Sequence, residues 1–271
     1  MKCIITAPRG KMARYLVQVA ARTEGVAIVG AVAPKGRPYL GMDAGQVCGL
    51  GEDIGVRVTD DLAAIIDTCD LVVDFSTVEM SMQTVALCVQ HKKALMCGTT
   101  GFSPEQMQGI REAAQHIPLL FAANTSLLVN LMNEVLTYLA AHVGQQSQIE
   151  IIEMHDAQKL DAPSGTSREM AERMAHAMGH EVQEVLLGPR ISGELPGKGS
   201  IAIHSVRAGD IVSVHTVLFG TDGERLEITH RAESNLALAK GAIRGVQYME
   251  RFLDQPGLYG IKAALLGEAD G

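Results

Sequence analysis

The sequence contains no tryptophan, few aromatic residues and no apolar run long enough to cross a membrane. Phe, Tyr and Trp make up 4% of its 271 residues, so the core must be built from Val, Ile, Leu, Ala and Met. A membrane helix needs about 20 consecutive apolar residues. The apolar start of the chain ends at Pro8, too early for the hydrophobic region of a signal peptide. These absences favour a globular cytoplasmic protein without a membrane partner.

Positive charge is also scarce, and the cysteines form no recognisable framework. Lys and Arg number 23 against 31 Asp and Glu, which gives a formal net charge of −8. A chain of this sign is poorly suited to a phosphate backbone, so we expect no nucleic-acid partner. The five cysteines are scattered and include no C-x-x-C motif, a pattern typical of reduced core thiols in a cytosolic protein. We therefore predict no metal site.

The first half of the chain alternates short apolar runs with stretches of helical periodicity. The predicted strands are 3–7, 26–32, 69–75, 94–97 and 118–122, and the predicted helices are 12–20, 62–66, 79–90 and one from 103. The last helix has a specific start, because Ser103 as N-cap, Pro104 at N1 and Gln106 at N3 form a capping box. This alternation predicts an α/β domain, a Rossmann-like parallel sheet with helices on both faces.

The second half has a different pattern and predicts a domain of α+β type that begins near residue 125. Its predicted helices are 126–142 and 167–178, and its predicted strands are 149–153, 199–207, 211–219 and 225–230. The last three strands are separated by turns rich in Gly and Asp, which favours an antiparallel meander within a mixed or antiparallel sheet. A further helix, 236–253, has a wide apolar face and is expected to pack back on the first domain.

The turn after the first predicted strand is a candidate phosphate site. Backbone N–H groups at the start of the following helix would face a pyrophosphate there. The glycine spacing of such turns survives only as Ala7, Gly10 and Ala13, and Pro8 removes one N–H donor. A cofactor site and an ordinary turn therefore both remain open. If the turn binds cofactor, the residues concerned are Ala7, Arg9, Gly10, Lys11 and Met12.

The segment after the second predicted strand bears on which dinucleotide would bind. An acidic residue there usually accepts from the ribose 2′-hydroxyl of NAD. Here the chain has Lys35 and Arg37 and no acid between them. Because cations suit a 2′-phosphate better than a hydroxyl, we predict NADP as the preferred cofactor and NAD as the alternative.

The strongest cluster of chemical groups follows the predicted strand 149–153. His155 has an unperturbed pKa near neutrality, which suits a proton donor. Lys159 can add a positive charge for an anion. The segment Ser164-Gly165-Thr166 then opens a predicted helix, whose first N–H groups can bind one carboxylate. Together these groups predict a site that binds a carboxylate and moves a proton.

With these motifs in place, the sequence resembles the bacterial 4-hydroxy-tetrahydrodipicolinate reductases, also called dihydrodipicolinate reductases, over nearly its whole length. The shared motifs are separate and occur in the family's order. They are 98–102, 122–124 with Ser126 and Asn130, 150–153, Lys159 with 161–166, 207–212, 215–216 and 224–230.

The resemblance implies a nucleotide-binding domain, 1–125 with 237–271, and a central domain, 126–236, that binds substrate and forms an oligomer, usually a homotetramer. It implies hydride transfer from NAD(P)H to a conjugated cyclic imine of the diaminopimelate–lysine pathway. His155 matches the family's catalytic histidine and Lys159 its proton-donating lysine, while Gly165 and Thr166 match residues that hold a substrate carboxylate. The stretches that match the nicotinamide lining are Gly98, Thr99 and Thr100, and Ala122, Ala123, Asn124 and Thr125.

Several positions depart from the family pattern, and two of them concern the charge of the substrate. Asp156 stands where the family has a histidine, and Asn235 where it has an arginine. Both changes make the predicted pocket less favourable for a dicarboxylate. Two alternatives therefore stay open. One is a sister reductase of another cyclic imine or amino-acid-derived C=N compound, and the other is a non-catalytic dinucleotide-binding homologue, for which Ala7 and Pro8 are the argument.

Overall fold

The computed structural model describes residues 1–187 and 195–267. The chain divides into two compact units, one formed by residues 1–127 with 235–271 and the other by residues 128–234. We call them unit 1 and unit 2. Unit 1 is thus built from both ends of the chain, and unit 2 is inserted between them.

Unit 1 contains a seven-stranded sheet in which every pair of neighbours is parallel. Its strands are β1 (Lys2–Thr6), β2 (Ala27–Val32), β3 (Val58–Thr59), β4 (Leu71–Asp74), β5 (Ala94–Cys97), β6 (Pro118–Phe121) and β12 (Gly257–Gly260). The strand order is β12-β6-β5-β4-β1-β2-β3. The chain moves outward in one direction from β1 through β2 to β3, and in the other from β4 onward, so the order reverses between β1 and β4. The parallel α/β sheet predicted from the sequence is confirmed.

The helices of unit 1 are α1 (Ala13–Ala20), α2 (Ala44–Val47), α3 (Val78–His91), α4 (Pro104–Ala113), α8 (Leu236–Met249) and α9 (Ile261–Leu266). Ser103 and Gln106 form the predicted capping box at the start of α4. Alternate strand residues point to opposite faces of the sheet. Accordingly Ile5 and Val73 pack with residues of α1 and α8, whereas Ile4 and Val72 pack with residues of α3 and α4. Helices therefore cover both faces, and α8 joins this core as expected.

All five cysteines belong to unit 1, where they are buried and unpaired. Burial raises the pKa of Cys3 and of Cys97 to about 12, and that of Cys69 to about 11. These thiols are therefore protonated and pack as small apolar side chains in the core, as the sequence predicted.

Over residues 128–187 and 195–234, unit 2 contains a five-stranded mixed sheet and three α-helices. Its strands are β7 (Gln148–His155), β8 (Leu186–Leu187), β9 (Ile201–Arg207), β10 (Ser213–Thr221) and β11 (Glu224–Ala232); its helices are α5, which begins in unit 1 (Leu127–Val143), α6 (Gly165–Ala177) and α7 (Val182–Val185). The strand order is β11-β10-β7-β9-β8. The predicted meander is therefore wrong for β9, which pairs in parallel with β7, while β10 and β11 form the expected antiparallel pair.

Two further elements differ from the sequence prediction. The segment 62–66 is a turn that leads into a short 3₁₀ helix, Ile66–Thr68, rather than an α-helix. The predicted helix 236–253 ends at Met249, and strand β12 and helix α9, for which no prediction was made from the sequence, follow it in unit 1. Within residues 1–187 and 195–267, no helix has the length and apolar character required to span a membrane.

Candidate active site

The residues predicted to bind a dinucleotide all lie in unit 1, and most of them follow the carboxyl end of a strand. The turn 7–12 follows β1, Gly98–Thr100 follow β5, and Ala122–Thr125 follow β6. In open α/β sheets, ligands bind outside the carboxyl ends of the strands where the strand order reverses. The sheet of unit 1 has this reversal between β1 and β4, so its topology places the predicted segments at a suitable edge.

The turn after β1 is tight and holds Ala7 in a left-handed backbone conformation. Ala7 has a φ of +48°, a region that favours glycine because of its missing Cβ. Its carbonyl accepts a hydrogen bond of 2.7 Å from the N–H of Gly10. The N-cap of α1 is Met12, which makes no side-chain capping bond. The turn therefore has at its first position a backbone conformation that favours glycine, although the residue there is alanine.

Two basic side chains lie on the turn after β1 and on the loop after β2. The guanidinium of Arg9 lies over the ring of Tyr39, 5.7 Å from its centroid, and Lys35 is exposed in the loop after β2. The next carboxylate along the chain, Asp43, accepts from the backbone N–H groups of Gly45, Ile54 and Val56. Both carboxylate oxygens of Asp43 thus accept hydrogen bonds from the backbone of residues 45–56.

A buried carboxylate at the end of β4 was missed by the sequence prediction. Asp74 is fully buried, and Oδ1 accepts from Thr6 Oγ1 at 2.5 Å and from Ser76 Oγ at 2.6 Å. Oδ2 accepts from Ser81 Oγ and, at 3.4 Å, from Thr99 Oγ1. The four hydroxyl groups come from separate segments, so Asp74 ties the ends of β1, β4 and β5 together beside the predicted cofactor residues.

The two predicted nicotinamide-lining stretches are held by close backbone packing. A Cβ on Gly98 would lie 2.0 Å from a ring carbon of Phe75, so only glycine fits there. Thr125 Oγ1 donates to the carbonyl of Leu238 in α8 at 2.7 Å. A Cβ on Gly241 would lie 1.7 Å from the carbonyl oxygen of Thr125, so this approach also requires glycine.

In unit 2, His155 ends strand β7 and faces a buried carboxylate. Its Nε2 lies 3.0 Å from Oε2 of Glu153, whose side chain is fully buried. Its Nδ1 lies 3.3 Å from the carbonyl oxygen of Val212. Both ring nitrogens therefore lie near acceptor oxygens, and the contact of Nε2 with Glu153 is a close approach rather than a hydrogen bond. Glu153 belongs to a motif shared with the family, but no role was predicted for it from the sequence.

A second histidine lies against His155. The rings of His155 and His215 meet edge to face with centroids 5.3 Å apart. His215 is fully buried and its Nε2 lies 3.3 Å from Ser164 Oγ. Burial, aided by the nearby positive charge of His155, lowers the pKa of His215 to about 4. His215 is therefore a neutral ring at physiological pH.

Lys159 lies on the loop between β7 and α6 and pairs with an acid of the same loop. Its Nζ is 2.7 Å from Oδ1 of Asp161, and its side chain is 25% exposed. Burial opposes ionisation of Asp161, but the ammonium of Lys159 holds the pKa of that carboxyl below its usual value. Asp156, in the same loop, accepts from the backbone N–H of Gln158 at 2.9 Å. One oxygen of Asp156 therefore stabilises a turn as well as adding negative charge.

The predicted carboxylate-binding segment opens helix α6, with one change of role. Ser164 is the N-cap, and its Oγ accepts from the N–H of Ser167. Its own N–H donates to Glu153 Oε1 at 3.3 Å, so Ser164 acts within the protein rather than as an open donor. Gly165 and Thr166 form the first turn, and nothing lies within 4 Å of a Cβ placed on Gly165. A ligand can thus approach the backbone closely at Gly165.

Glu153, His155 and His215 also form a possible metal-ligand set. Each offers one ligand atom, and the three atoms lie within 4.8 Å of one another. A carboxylate with two imidazoles can bind a divalent transition metal. One oxygen of Glu153 is already bonded to Arg207. The sequence did not single out this set, and the absence of a resident metal stays a prediction.

Asn235, the last of the predicted substrate residues, belongs to unit 1. It is the N-cap of α8 and makes no side-chain capping bond. Its carbonyl accepts from the N–H of Ala239 at 3.0 Å. Its side chain is therefore not required to start the helix, and its role toward substrate stays a prediction.

Comparison with known proteins gives matches over both units. The family model described as dihydrodipicolinate reductase, N-terminus, matches residues 1–125, and the model for the C-terminus matches residues 128–265. The 4-hydroxy-tetrahydrodipicolinate reductase of Hahella chejuensis is 40% identical over 263 residues, which cover 96% of this chain and 97% of that protein. The protein of the same name from Syntrophus aciditrophicus is 39% identical and covers 98% of both.

Solved structures agree with this match. Dipicolinate-bound dihydrodipicolinate reductase from Paenisporosarcina sp. TG-14 superposes with a TM-score of 0.71 at 27% identity, over 97% of this chain and 98% of that chain. An amine dehydrogenase from Mycobacterium smegmatis superposes with a TM-score of 0.67 at 14% identity, over 97% of this chain and 95% of that one. The second likeness concerns the fold alone.

Proposed function

The chain belongs to the dihydrodipicolinate reductase family and is an NAD(P)H-dependent oxidoreductase, and we propose that it reduces 4-hydroxy-tetrahydrodipicolinate, with unit 1 binding the dinucleotide and unit 2 the substrate. The observation that carries this proposal is the joint presence of His155, Lys159 and the open start of α6 in a chain that matches the family over both units.

The residues of unit 1 fit a nicotinamide dinucleotide. The turn 7–12 is tight and leads into α1, whose N-cap Met12 makes no side-chain capping bond, so this side chain does not compete with a phosphate for the N–H groups at the start of the helix. Gly98 and Thr125, packed as described, are the fixed ends of two stretches suited to the nicotinamide. The reduced cofactor supplies a hydride; the protein binds and orients it.

The residues of unit 2 fit an anionic substrate that must gain a proton. The N–H groups of Gly165 and Thr166 suit one carboxylate, because the helix N-terminus carries a partial positive charge. Lys159 donates the proton that accompanies the hydride. His155, which ends β7 at the start of the same loop, is the second residue that we assign to catalysis, as an imidazole that can exchange a proton.

We further propose NADPH as the preferred cofactor. Arg9 and Lys35 offer positive charge near the loop after β2, where NAD-specific sites usually carry an acid. Asp43, the first acid downstream, is occupied by three backbone N–H groups. A 2′-phosphate therefore finds cations and no competing carboxylate in this segment.

We also propose a homo-oligomer, as a tetramer, located in the cytoplasm. Helix α5 exposes an apolar stripe at helical spacing, formed by Leu128, Leu131, Val135 and Tyr138, each between 41% and 64% exposed. A patch of this kind on one helix face is typical of a protein interface. The free cysteines are compatible with a reducing compartment.

The direct test is cofactor oxidation measured with NADPH and NADH against 4-hydroxy-tetrahydrodipicolinate and against a cyclic imine that carries a single carboxylate. We expect turnover of the dicarboxylate, with a lower KM for NADPH than for NADH. Turnover of the monocarboxylate alone would instead support the sister reductase, which Asp156 and Asn235 favour. Failure to bind either cofactor, followed by the fluorescence of the reduced nicotinamide, would support the non-catalytic alternative.

A further inference from the structure

Glu153 places a buried negative charge beside His155. The two residues are separated by one position on β7, so their side chains leave the same face of the strand. Burial opposes ionisation of Glu153, but the neighbouring His155 and the guanidinium of Arg207, which donates to its Oε1 at 2.8 Å, hold its pKa well below the usual range. An ionised carboxylate therefore faces the histidine from the interior of unit 2.

Arg207 bonds to this carboxylate from the neighbouring strand. The parallel register of β7 and β9 sets Arg207 beside His155. Its Nη2 donates to Glu153 Oε1 at 2.8 Å, and its side chain is 17% exposed. Loss of one partner from such a shielded pair leaves the other charge without compensation. The position of Glu153, and with it the contact to His155, therefore depends on Arg207.

The same guanidinium also holds the loop that carries Lys159. Its Nε donates to the carbonyl oxygen of Lys159 at 3.2 Å, and its Nη2 donates to that of Asp161. Between these two carbonyls lies Leu160, whose side chain is 97% exposed. Apolar burial at Leu160 thus does not fix the loop, and the hydrogen bonds from Arg207 do.

From these contacts we propose that Arg207 is a positioning residue that holds both catalytic side chains of the proposed reductase, His155 through Glu153 and Lys159 through its backbone. The planar fork of arginine can reach a carboxylate and two carbonyls at once, which the single ammonium of lysine cannot reproduce. The inference rests on the proposed function only for the roles of His155 and Lys159; the linkage itself is independent of the reaction.

The test compares Arg207→Lys, Arg207→Ala and Glu153→Gln with the wild type. A misplacement of about 1 Å in a catalytic group can cost about 100-fold in rate, so we expect Arg207→Lys to lower kcat by about that factor. The dissociation constant of NADPH should stay unchanged, because the predicted cofactor residues lie in unit 1. The matched control is Arg225→Lys, an exposed arginine of β11 that pairs with Glu227, and its kcat should equal that of the wild type.

Chemical rescue separates positioning from a general loss of stability. Guanidinium ion, added well below denaturing concentrations, should restore part of the kcat of Arg207→Ala, while methylammonium at the same concentration should not. Glu153→Gln combined with Arg207→Lys should lose less activity than the product of the single losses, because both changes break one linkage. If Arg207→Ala does not fold, this double variant still decides the matter.

A readout without turnover distinguishes this proposal from the proposed function. In protein labelled with ¹⁵N-histidine, the ring signals of His155 should shift in Arg207→Lys and in Glu153→Gln, whereas those of the exposed His176 should not. An inactive wild type whose variants show these shifts would reject the proposed function and keep the linkage. Unmoved His155 signals, or a kcat of Arg207→Lys within twofold of the wild type, would overturn the proposal.

Discussion

The backbone N–H of Ala7 donates a hydrogen bond of 2.6 Å to the carbonyl oxygen of Val32, and this contact joins the turn after β1 to the end of β2. Ala7 makes it in a left-handed conformation, with φ at +48°. The turn is therefore fixed by the neighbouring strand even though its first residue has a side chain that disfavours this backbone.

Ala7→Gly is accordingly expected to stabilise the protein. A side chain in the left-handed region costs about 1–2 kcal/mol, and the greater freedom of glycine in the unfolded chain offsets part of this gain. We expect a net gain of about 1 kcal/mol in the free energy of unfolding, measured by urea titration. Ala21→Gly is the control, because Ala21 has a φ of −60° and should lose stability instead. If the free energy of unfolding changes in the same direction in both variants, the strain argument is wrong.

Restoring positive charge at the two divergent positions should improve use of the dicarboxylate. Asn235→Arg with Asp156→His is expected to lower KM about fivefold or more, because a like charge at about 4 Å costs about 1 kcal/mol when water screens it and about 4 kcal/mol at an effective dielectric of 20. Asp156→Asn in place of Asp156→His removes the charge but can still accept from Gln158, so it separates electrostatics from the turn. An unchanged kcat/KM in both combinations would refute the charge argument.

His155→Gln should lower kcat and leave cofactor binding intact. Glutamine has no group that can take up or release a proton, so the catalytic part that we assign to the imidazole ring is lost. A loss of about 100-fold or more is typical when a general acid or base is removed. Steady-state kinetics and an NADPH fluorescence titration measure the two quantities. Turnover at the wild-type rate would remove His155 from the mechanism.

The buried His215 should make the protein less stable in mild acid. Its pKa is lowered to about 4 in the folded protein, against about 6.5 in the unfolded chain. Between these values the unfolded state binds more protons, so stability falls as the pH falls below 6.5. The loss attributable to this group is about 2 kcal/mol at pH 5 relative to pH 8.

Urea unfolding of wild type and His215→Gln at pH 8 and pH 5 measures this contribution. Other titrating groups are common to both proteins, so the difference between their pH dependences isolates His215. We expect the variant to lose less stability on acidification. Parallel curves would show that the ring titrates alike in the folded and unfolded states.

Removal of metal ions should not affect turnover, because the proposed chemistry uses Lys159, His155 and the cofactor. Incubation with EDTA followed by desalting should leave kcat unchanged. A loss of activity that Zn²⁺ or Mn²⁺ restores to the wild type but not to His215→Gln would show that Glu153, His155 and His215 hold a required ion.

The parts of the fold that depend on local chemistry were predicted well. The start of α4 was predicted from the capping box of Ser103 and Gln106, because its residues are close in sequence and this pattern is characteristic of a helix N-terminus. The segment 62–66 failed for the opposite reason. Its apolar residues fit one turn of helix, but five residues do not distinguish a helix from a turn. Strand β12 has glycine at both ends and gave no strand signal.

Strand pairing lay beyond the sequence prediction. β9 and β10 are joined by a short turn that predicts a hairpin, yet β7 lies between them in the sheet. The register of a sheet depends on which apolar faces meet in the whole unit, and a single sequence does not specify this choice.

The candidate site shows the same division. His155, Lys159 and the start of α6 were found because they are near one another in the chain. Asp74 was missed because its hydroxyl donors Thr6, Ser76, Ser81 and Thr99 are spread over 93 residues of sequence. Arg207 lies in a motif shared with the family, but no role was predicted for it, because its contacts with Glu153 and with the loop of Lys159 span about fifty positions.

The distribution of the cysteines gives the protein an internal reporter. All five thiols are buried in the domain formed by the two chain ends, while the inserted domain contains none. A maleimide or a disulfide reagent can therefore react only when the domain formed by the two chain ends opens locally. The rate of the reaction measures that opening, and the inserted domain contributes no signal. Native cysteines alone thus allow the local unfolding of one half to be followed while the other is perturbed by mutation.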